Sequence, residues 1–303
     1  MNKSNLMTWP IAIAFCLSIS TRAMCRDIFV NNLSGDDRRT GEQEESLSAL
    51  QGPVRSIARA LRAAGPSDRI VIANTGEPYR ESVTLQGARH SGSEAFPFTI
   101  EGNGATLDGT APVHPGSWRV VADHVSEWTP QHFDFHQLFI AGKLAQFRPI
   151  YSPFMLSELE PQQWTTWNGN VFFRADKDSL PLAYDLSAAS LPVGITLYET
   201  RNVIVRDLVI RGYRLDAINA HDSVFGCQLQ RVTAIENGRS GISIGGASRV
   251  CVQACQLKDN GVAQLRTEQV SCADVRGTEL AAGRGAQWQR DGGALVIDGE
   301  SAE

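Results

Sequence analysis

One short stretch of the sequence brings together the side chains that can move protons near neutral pH. His221 and Asp222 follow Asn219 closely, and Asp216 lies just before them. Imidazole titrates near neutral pH, so His221 is a candidate general base, and Asp222 is placed either to orient it or to cap a turn. Two carboxylates about 5 to 10 Å apart can instead cleave a glycosidic bond, and Asp216 and Glu236 are the candidates for that pair.

Abstraction of a proton beside a carboxylate also needs a cation, because the carbanion is otherwise too costly. Arg266 and Arg239 are the candidates for this neutralising role. An exposed His221 without a role, and carboxylates that are plain solvated turn residues, remain open alternatives. The residue types therefore define two chemistries, and the spacing of the elements that carry them must decide between the two.

The elements around these residues form a repeat. Apolar runs that begin at Val203, Cys227 and Val250 share one pattern, at offsets of 24 and 23 residues. A period in the low twenties, built from three short β-rich runs, is typical of one coil of a three-sided parallel β-helix. The spaced leucines of a leucine-rich repeat are absent, and an ordinary sandwich would not keep the register. Two further sets share the step: Ile218, Ile242 and Leu265, and the turns Asn237-Gly238 and Asn260-Gly261.

Equivalent positions of neighbouring coils stack about 4.8 Å apart, so spacing in the sequence becomes distance in the fold. The outward ladders predicted for the third strand are Asn219, Ser243 and Arg266, and two residues on, His221, Gly245 and Glu268. The missing side chain at Gly245 leaves a shallow notch beside His221. We expect an extended polymer to lie there, with Asn219, Ser243 and Glu268 as substrate-binding residues.

The chain divides into four predicted parts. Residues 1–23 read as a signal peptide with cleavage after Ala23. Residues 24–111 form an N-terminal cap and the first coils, with a helix over Val54 to Leu61. Residues 112–193 form an inserted β-rich lobe whose four Trp are core residues or sugar-stacking surfaces. Residues 194–303 return to coils, but the period dissolves after Val275, which indicates a truncated or degenerate relative.

Composition narrows the partners. The net charge of −5, without basic runs, gives no footprint for nucleic acid. No stretch approaches the about 20 apolar residues of a membrane helix, so the mature protein is expected to be a soluble monomer. Removal of Cys16 with the signal leaves five cysteines, an odd number without a CxxC pair, so buried thiols or one disulfide are favoured over a zinc site.

Several runs resemble known β-helix proteins. Asp27–Val30 to Ser82–Leu85, with the helix between them, resembles the cap and first coil of the pectate-lyase-like superfamily of right-handed parallel β-helices. Four runs resemble the insert of bacterial β-helix glycoside hydrolases: Gln137–Lys143, Arg148-Pro149, Leu159–Trp164 and Asn168–Phe173. The resemblance implies an all-β, right-handed parallel β-helix, a three-sided solenoid with an N-terminal capping helix and an inserted β-rich lobe.

A second resemblance concerns activity. Asn219-Ala220-His221-Asp222, followed by Ile235–Ile242, is similar to the catalytic Asp-Pro-His-Asp/Glu segment of alginate C5-epimerases and its next coil. Asn219 replaces the first Asp of that segment and Ala220 its Pro, so only His221 and Asp222 carry over. An Asn cannot act as an acid or base, which puts epimerisation itself in doubt.

The expectation is therefore an exported protein, periplasmic, extracellular or at the cell surface, that acts on a polysaccharide. Uronate lyase or epimerase chemistry and glycoside hydrolysis both stay open. The alternative from another class is a non-catalytic envelope or glycan-binding β-helix, including a degenerate enzyme. Whether calcium bridges the substrate to the protein is also left open by the sequence.

Overall fold

A curled, mostly parallel sheet organises the chain. The structure, a computed structural model, describes residues 25–132, 134–281 and 283–302, so the predicted signal segment 1–23 lies outside the described residues. Within them the fold is all-β with few helices, as the sequence predicts. The one α-helix of this part, α1 (Ile57–Ala63), packs against the first strands.

Sixteen strands belong to the curled sheet. Four lie in the N-terminal part: β1 (Asp27–Val30), β2 (Arg69–Ile72), β3 (Val83–Gln86) and β4 (Phe98–Asp108). The others follow residue 194: β14 (Ile195–Tyr198), β15 (Val203–Arg211), β16 (Asp216–His221), β17 (Cys227–Gln230), β18 (Thr233–Ile235), β19 (Ser240–Ile244), β20 (Arg249–Gln253), β21 (Gln256–Lys258), β22 (Ala263–Arg276), β23 (Glu279–Leu280), β24 (Ala286–Ile297) and β25 (Glu300–Ser301).

Two smaller, mainly antiparallel sheets lie between these groups, and we call them together the side lobe. Trp164 and Phe173 are its largest buried side chains, and Trp118 and Trp128 pack against them as core residues. Its strands are β5 (Thr110–Pro112), β6 (Arg119–Ala122), β7 (Val125–Trp128), β8 (Leu138–Ile140), β9 (Lys143–Leu144), β10 (Gln146–Phe147), β11 (Gln163–Trp167), β12 (Asn170–Arg174) and β13 (Leu186–Ala189). Three short 3-10 helices lie at Pro115–Ser117, Pro153–Glu158 and Pro181–Ala183.

The predicted register of the repeat is confirmed. Ile218 of β16 pairs in parallel with Ile242 of β19, which pairs with Leu265 of β22. Strands β3, β14, β16, β19, the first half of β22 and β24 thereby form one row, which we call the third row. Inward side chains of the curled sheet are apolar and buried, so the outward positions of the third row face away from a continuous core.

The start of α1 differs from the prediction. Val54 does not belong to the helix but forms a parallel bridge with Val30. The helix begins three residues later because Ser56 caps it, accepting a hydrogen bond from the Arg59 N–H. The carboxylate of Glu81 accepts from the Ile57 and Ala58 N–H groups, which satisfies further free donors of the first turn.

The expectation that the period dissolves after Val275 is wrong. β23 and β24 add another layer, in which Leu280 pairs with Leu257 and Trp288 pairs with Leu265. The sequence hides this layer because Gly292 and Gly293 interrupt the apolar pattern. Both glycines have positive φ and lie so close to the backbone of the preceding layer that a side chain would clash.

Buried asparagines hold consecutive layers together at the turn before the third row. Asn237 and Asn260 are fully buried. The Tyr213 N–H donates to Asn237 Oδ1 at 3.0 Å, and the Asn237 N–H donates to Asn260 Oδ1 at 3.0 Å. Each amide thus satisfies a backbone donor of the layer before it. Burial of these polar groups is tolerated because each has a partner.

We predict that Asn260→Ala destabilises the fold by about 3 kcal/mol, because it leaves the Asn237 N–H and the Gln264 side chain without a partner in the interior. Urea unfolding of both proteins measures the change. Gln256→Ala, which removes only an exposed hydrogen bond to Glu279, is the matched control and should cost less than about 1 kcal/mol. Equal losses in the two variants would contradict a structural role for the asparagines.

No helix among the described residues is long and apolar enough to cross a bilayer. The five described cysteines are all free thiols, Cys25 exposed and the others at least half-buried, so the disulfide that the sequence left open does not form among them.

Candidate functional site

The outward face of the third row carries most of the predicted site residues. Asn219 pairs with Ser243, and Ser243 pairs with Arg266, so the first predicted ladder is in register. Tyr198 pairs with His221 one strand earlier. The structure therefore places an imidazole, a phenol, an amide and a hydroxyl side by side on one polar face of the sheet.

His221 belongs to a small cluster at the end of β16. Its Nδ1 lies 3.4 Å from Oδ1 of Asp222, and both side chains are about half-exposed. The ring of Tyr198 packs edge-on against the imidazole at 5.2 Å between centroids. The Tyr198 hydroxyl also donates to Asp222, which raises the pKa of Tyr198 and keeps the phenol protonated. Asp222 thus orients both neighbours while His221 stays accessible.

Arg266 joins two carboxylates of neighbouring layers. Its Nη2 lies 2.7 Å from Oε1 of Glu268 and 2.9 Å from Oδ2 of Asp291, while the arginine side chain is only 12% exposed. Glu268 and Asp291 are paired residues of β22 and β24, and both remain accessible at the surface. Hydrogen bonds from Arg266 and Gln289 lower the pKa of Asp291, so that carboxylate stays ionised.

Asp216 and Arg239 form a buried pair at the base of the same face. Asp216 opens strand β16 instead of lying in a turn, and its side chain is fully buried. Arg239 Nε donates to Asp216 Oδ1 at 3.0 Å, and Asn219 Nδ2 donates to Asp216 Oδ2 at 3.2 Å. The hydrogen bond with Asp216, above all, raises the pKa of Arg239. Asp216 is thus held by structural partners.

Glu236 lies elsewhere. Its carboxylate pairs with Arg211 at 2.6 Å, and the Arg211 guanidinium stacks over Phe139 of the side lobe. Burial raises the pKa of Glu236, an effect that Arg211 opposes. Asp216 and Glu236 therefore each have their own arginine, and the structure does not join them as the pair that the sequence suggested.

Two residues of the face are absent from the sequence prediction. Asp291 follows Glu268 by 23 residues, and Tyr198 precedes His221 by 23 residues. Both could have been found by extending the period by one layer in each direction. The interruption at Gly292-Gly293 hides Asp291, and the preceding lobe hides Tyr198.

The side lobe contacts the coil beside this face. Asp134 pairs with Arg214 at 2.7 Å, and Gln137 Nε2 donates to the Asn237 carbonyl at 3.1 Å. Between these contacts the chain crosses Gly238, where a Cβ would meet the Phe135 carbonyl oxygen at 1.9 Å. Only glycine allows this close approach. The lobe segment 134–137 therefore forms a wall next to the third row.

A cavity of about 420 Å³ opens on one side of that wall. His114, His132, His136, Trp128 and Arg214 are among the residues that line it. His136 is only 7% exposed, and its Nε2 has no hydrogen-bond partner among the described residues. Burial lowers the pKa of His136 to about 4; Asp134 opposes this shift, and Arg214 and His132 add to it. The imidazole is therefore neutral at physiological pH.

His136 makes stability depend on pH. The unfolded chain binds a proton at this residue near pH 6.5, whereas the folded protein resists protonation until about pH 4. Stability is then complete above pH 6.5 and falls as the pH drops towards 4, by up to about 3 kcal/mol. We predict that urea unfolding at pH 7 and pH 5 shows a smaller difference in His136→Gln than in wild type. His114→Gln, from the exposed wall of the same cavity, should retain the wild-type difference.

Among the residues that the structure describes, no three His, Cys, Asp or Glu side chains gather closely enough to hold a metal ion.

Comparison with known proteins supports the fold only. No protein-family model matches the sequence, and no curated protein matches it. A solved structure described as "Glycoside hydrolase" superposes with a TM-score of 0.60 at 10% identity, over 84% of this chain and 73% of that one. A second, described as "The complex structure of XylC with xylose", has a TM-score of 0.37 at 13% identity, over 89% and 68% of the two chains, and carries no argument.

Proposed function

We propose that the chain is an exported, right-handed parallel β-helix protein that hydrolyses glycosidic bonds of an extracellular polysaccharide. Glu268 and Asp291 are the catalytic pair of this proposal. The observation that carries it is the position of both carboxylates within 3 Å of one nitrogen of Arg266, on an accessible polar face. Their separation cannot exceed the sum of two hydrogen-bond lengths, which corresponds to the short spacing used by retaining glycosidases.

The two carboxylates have different roles in this reaction. Glu268 donates its proton to the glycosidic oxygen as that bond breaks. Asp291, held ionised by Arg266, attacks the anomeric carbon and forms a glycosyl ester. Glu268, now a carboxylate, takes a proton from water as that water cleaves the ester. Hydrolysis then returns both carboxyl groups to their starting state, so protons and bonds balance.

The rest of the third row would bind the polymer. Asn219 and Ser243 present hydrogen-bonding groups next to the pair, and Tyr198 offers a ring edge and a hydroxyl at the far end. A sugar chain that crosses the strands would meet a polar group about every 4.8 Å. The hydrolase activity named for the solved structure with the TM-score of 0.60 enters only as part of this proposal, since 10% identity concerns the fold alone.

Charge distribution favours hydrolysis over uronate chemistry on this face. Arg239 is matched by Asp216, and Arg266 is matched by two carboxylates. Neither arginine is therefore free to neutralise a uronate beside His221. Lyase or epimerase chemistry stays a second candidate on one observation: His221 is accessible and lies 3.4 Å from an orienting Asp222, the arrangement of a general base.

The predicted parts of the chain belong to the proposal as well. Residues 1–23 would direct export, 24–111 and 194–303 would form the coils, and 112–193 would form an insertion that flanks the binding face. The rival proposal from another class is a glycan-binding β-helix without catalysis.

We predict that Glu268→Gln and Asp291→Asn each lower hydrolysis at least about 100-fold, the usual contribution of acid–base or nucleophilic carboxylates. Release of reducing ends from gluco-, xylo-, manno- and galacto-oligosaccharides measures the loss. Asp274→Asn is the matched control, because Asp274 lies on β22, is exposed and pairs with an arginine away from the third row. It should retain wild-type activity.

The same panel separates the candidates. His221→Ala should reduce hydrolysis far less than the two carboxylate variants. If His221→Ala alone abolishes the reaction and unsaturated or epimerised uronates are the products, the second candidate is correct. If the wild type cleaves no glycan in the panel yet binds one, the non-catalytic alternative replaces the proposal.

A further inference from the structure

A second cavity, of about 370 Å³, lies on the other side of the wall formed by segment 134–137. The side lobe supplies aromatic walls from Phe147, Trp164 and Trp167. The coil supplies the small residue Gly238 and the cation Arg284. Cavities of this size accommodate small ligands, and aromatic faces suit the apolar faces of sugar rings.

Arg284 differs from the arginines of the neighbouring layers. Arg214 and Arg239, in the preceding turns, each pair with an aspartate, whereas no carboxylate of the described residues lies within ion-pair distance of Arg284. Nη1 of Arg284 donates to Gln137 Oε1 at 2.9 Å, which leaves further N–H groups for a ligand.

The surroundings of this guanidinium are aromatic. It stacks over Phe147 at 4.8 Å and over Trp164 at 6.0 Å from the ring centroids. The residue as a whole is exposed, so the cation is reachable from the cavity. Desolvation by the neighbouring atoms lowers the pKa of Arg284 to about 10, and the side chain still carries its charge at neutral pH.

We propose that this cavity binds a carboxylate-bearing sugar residue, a uronate, through Arg284. A planar guanidinium with free N–H groups matches a carboxylate in two parallel hydrogen bonds, and the low-polarity surroundings strengthen that contact. Trp167 would support the sugar ring, and Asn168 and Thr166 would meet its hydroxyl groups from the same wall. A neutral sugar would leave the charge of Arg284 unanswered.

The site deepens the proposed function and rests on it in one respect, namely that the ligand is a saccharide. Arg284 precedes β24, and Asp291 lies further along the same strand, so about 20 Å of extended chain separates the two positions. One polymer can span both. The substrate class is then an acidic polysaccharide whose uronate is held at the lobe while a neutral linkage is cleaved on the third row.

Binding tests the inference without cleavage. We predict that methyl glucuronide or methyl galacturonide binds the wild-type chain at least 10-fold more tightly than the corresponding neutral methyl glycosides, measured by calorimetry and by tryptophan fluorescence. Arg284→Gln should weaken uronide binding at least 10-fold. Arg249→Gln is the matched control, since Arg249 is exposed on the coil and forms no ion pair with a described residue. It should leave the affinity unchanged.

Loss of the Arg284–Gln137 contact could loosen the lobe, so a second variant is needed. Trp167→Ala keeps that contact and should also weaken uronide binding, with an unchanged melting temperature. Equal affinity for neutral and acidic glycosides, unchanged affinity in Arg284→Gln, or no binding of any uronide overturns the inference. Glu268→Gln should retain uronide binding, and Arg284→Gln should retain cleavage of neutral oligosaccharides, so failure here differs from failure of the proposed hydrolysis.

Discussion

Vertical stacking of the coils, with 23 or 24 residues between equivalent positions, is the constraint on which the rest of the structure depends. Parallel backbone hydrogen bonds fix the register, and the buried Asn237 and Asn260 reinforce it at the turn before the third row. A shift by one residue would turn the apolar side chains outward and the polar ladder inward. The core and the functional face are therefore two consequences of one register.

The distribution of charge on that face decides which chemistry it suits. Three carboxylates, Asp216, Glu268 and Asp291, accept from two arginines. The pair that Arg266 joins stays accessible, whereas Asp216 is consumed as a buried partner of Arg239. Since no cation of the third row is left over, the face suits a neutral linkage, and the accessible cation Arg284 lies across the lobe wall. The two sites thus divide an acidic polymer between them.

Much of the fold could be predicted from the sequence, because a solenoid converts periodicity directly into neighbours. Ile218, Ile242 and Leu265 show this, as does the Asn219, Ser243 and Arg266 ladder. The partners of Asp216 could not be predicted, because a strand's first residue can point to a turn or to the sheet. Lobe contacts were also out of reach: Gln137 meets Asn237 across 100 residues and Arg284 across 147, and no periodicity relates them.

The stereochemistry of the first product tests the central claim most directly, because the separation of the two carboxylates determines it. Proton NMR of the oligosaccharide panel during cleavage by the wild-type chain would show the anomer released before mutarotation. Glu268 and Asp291 on one guanidinium predict a product that retains the anomeric configuration of the substrate. Release of the inverted anomer would contradict the pair.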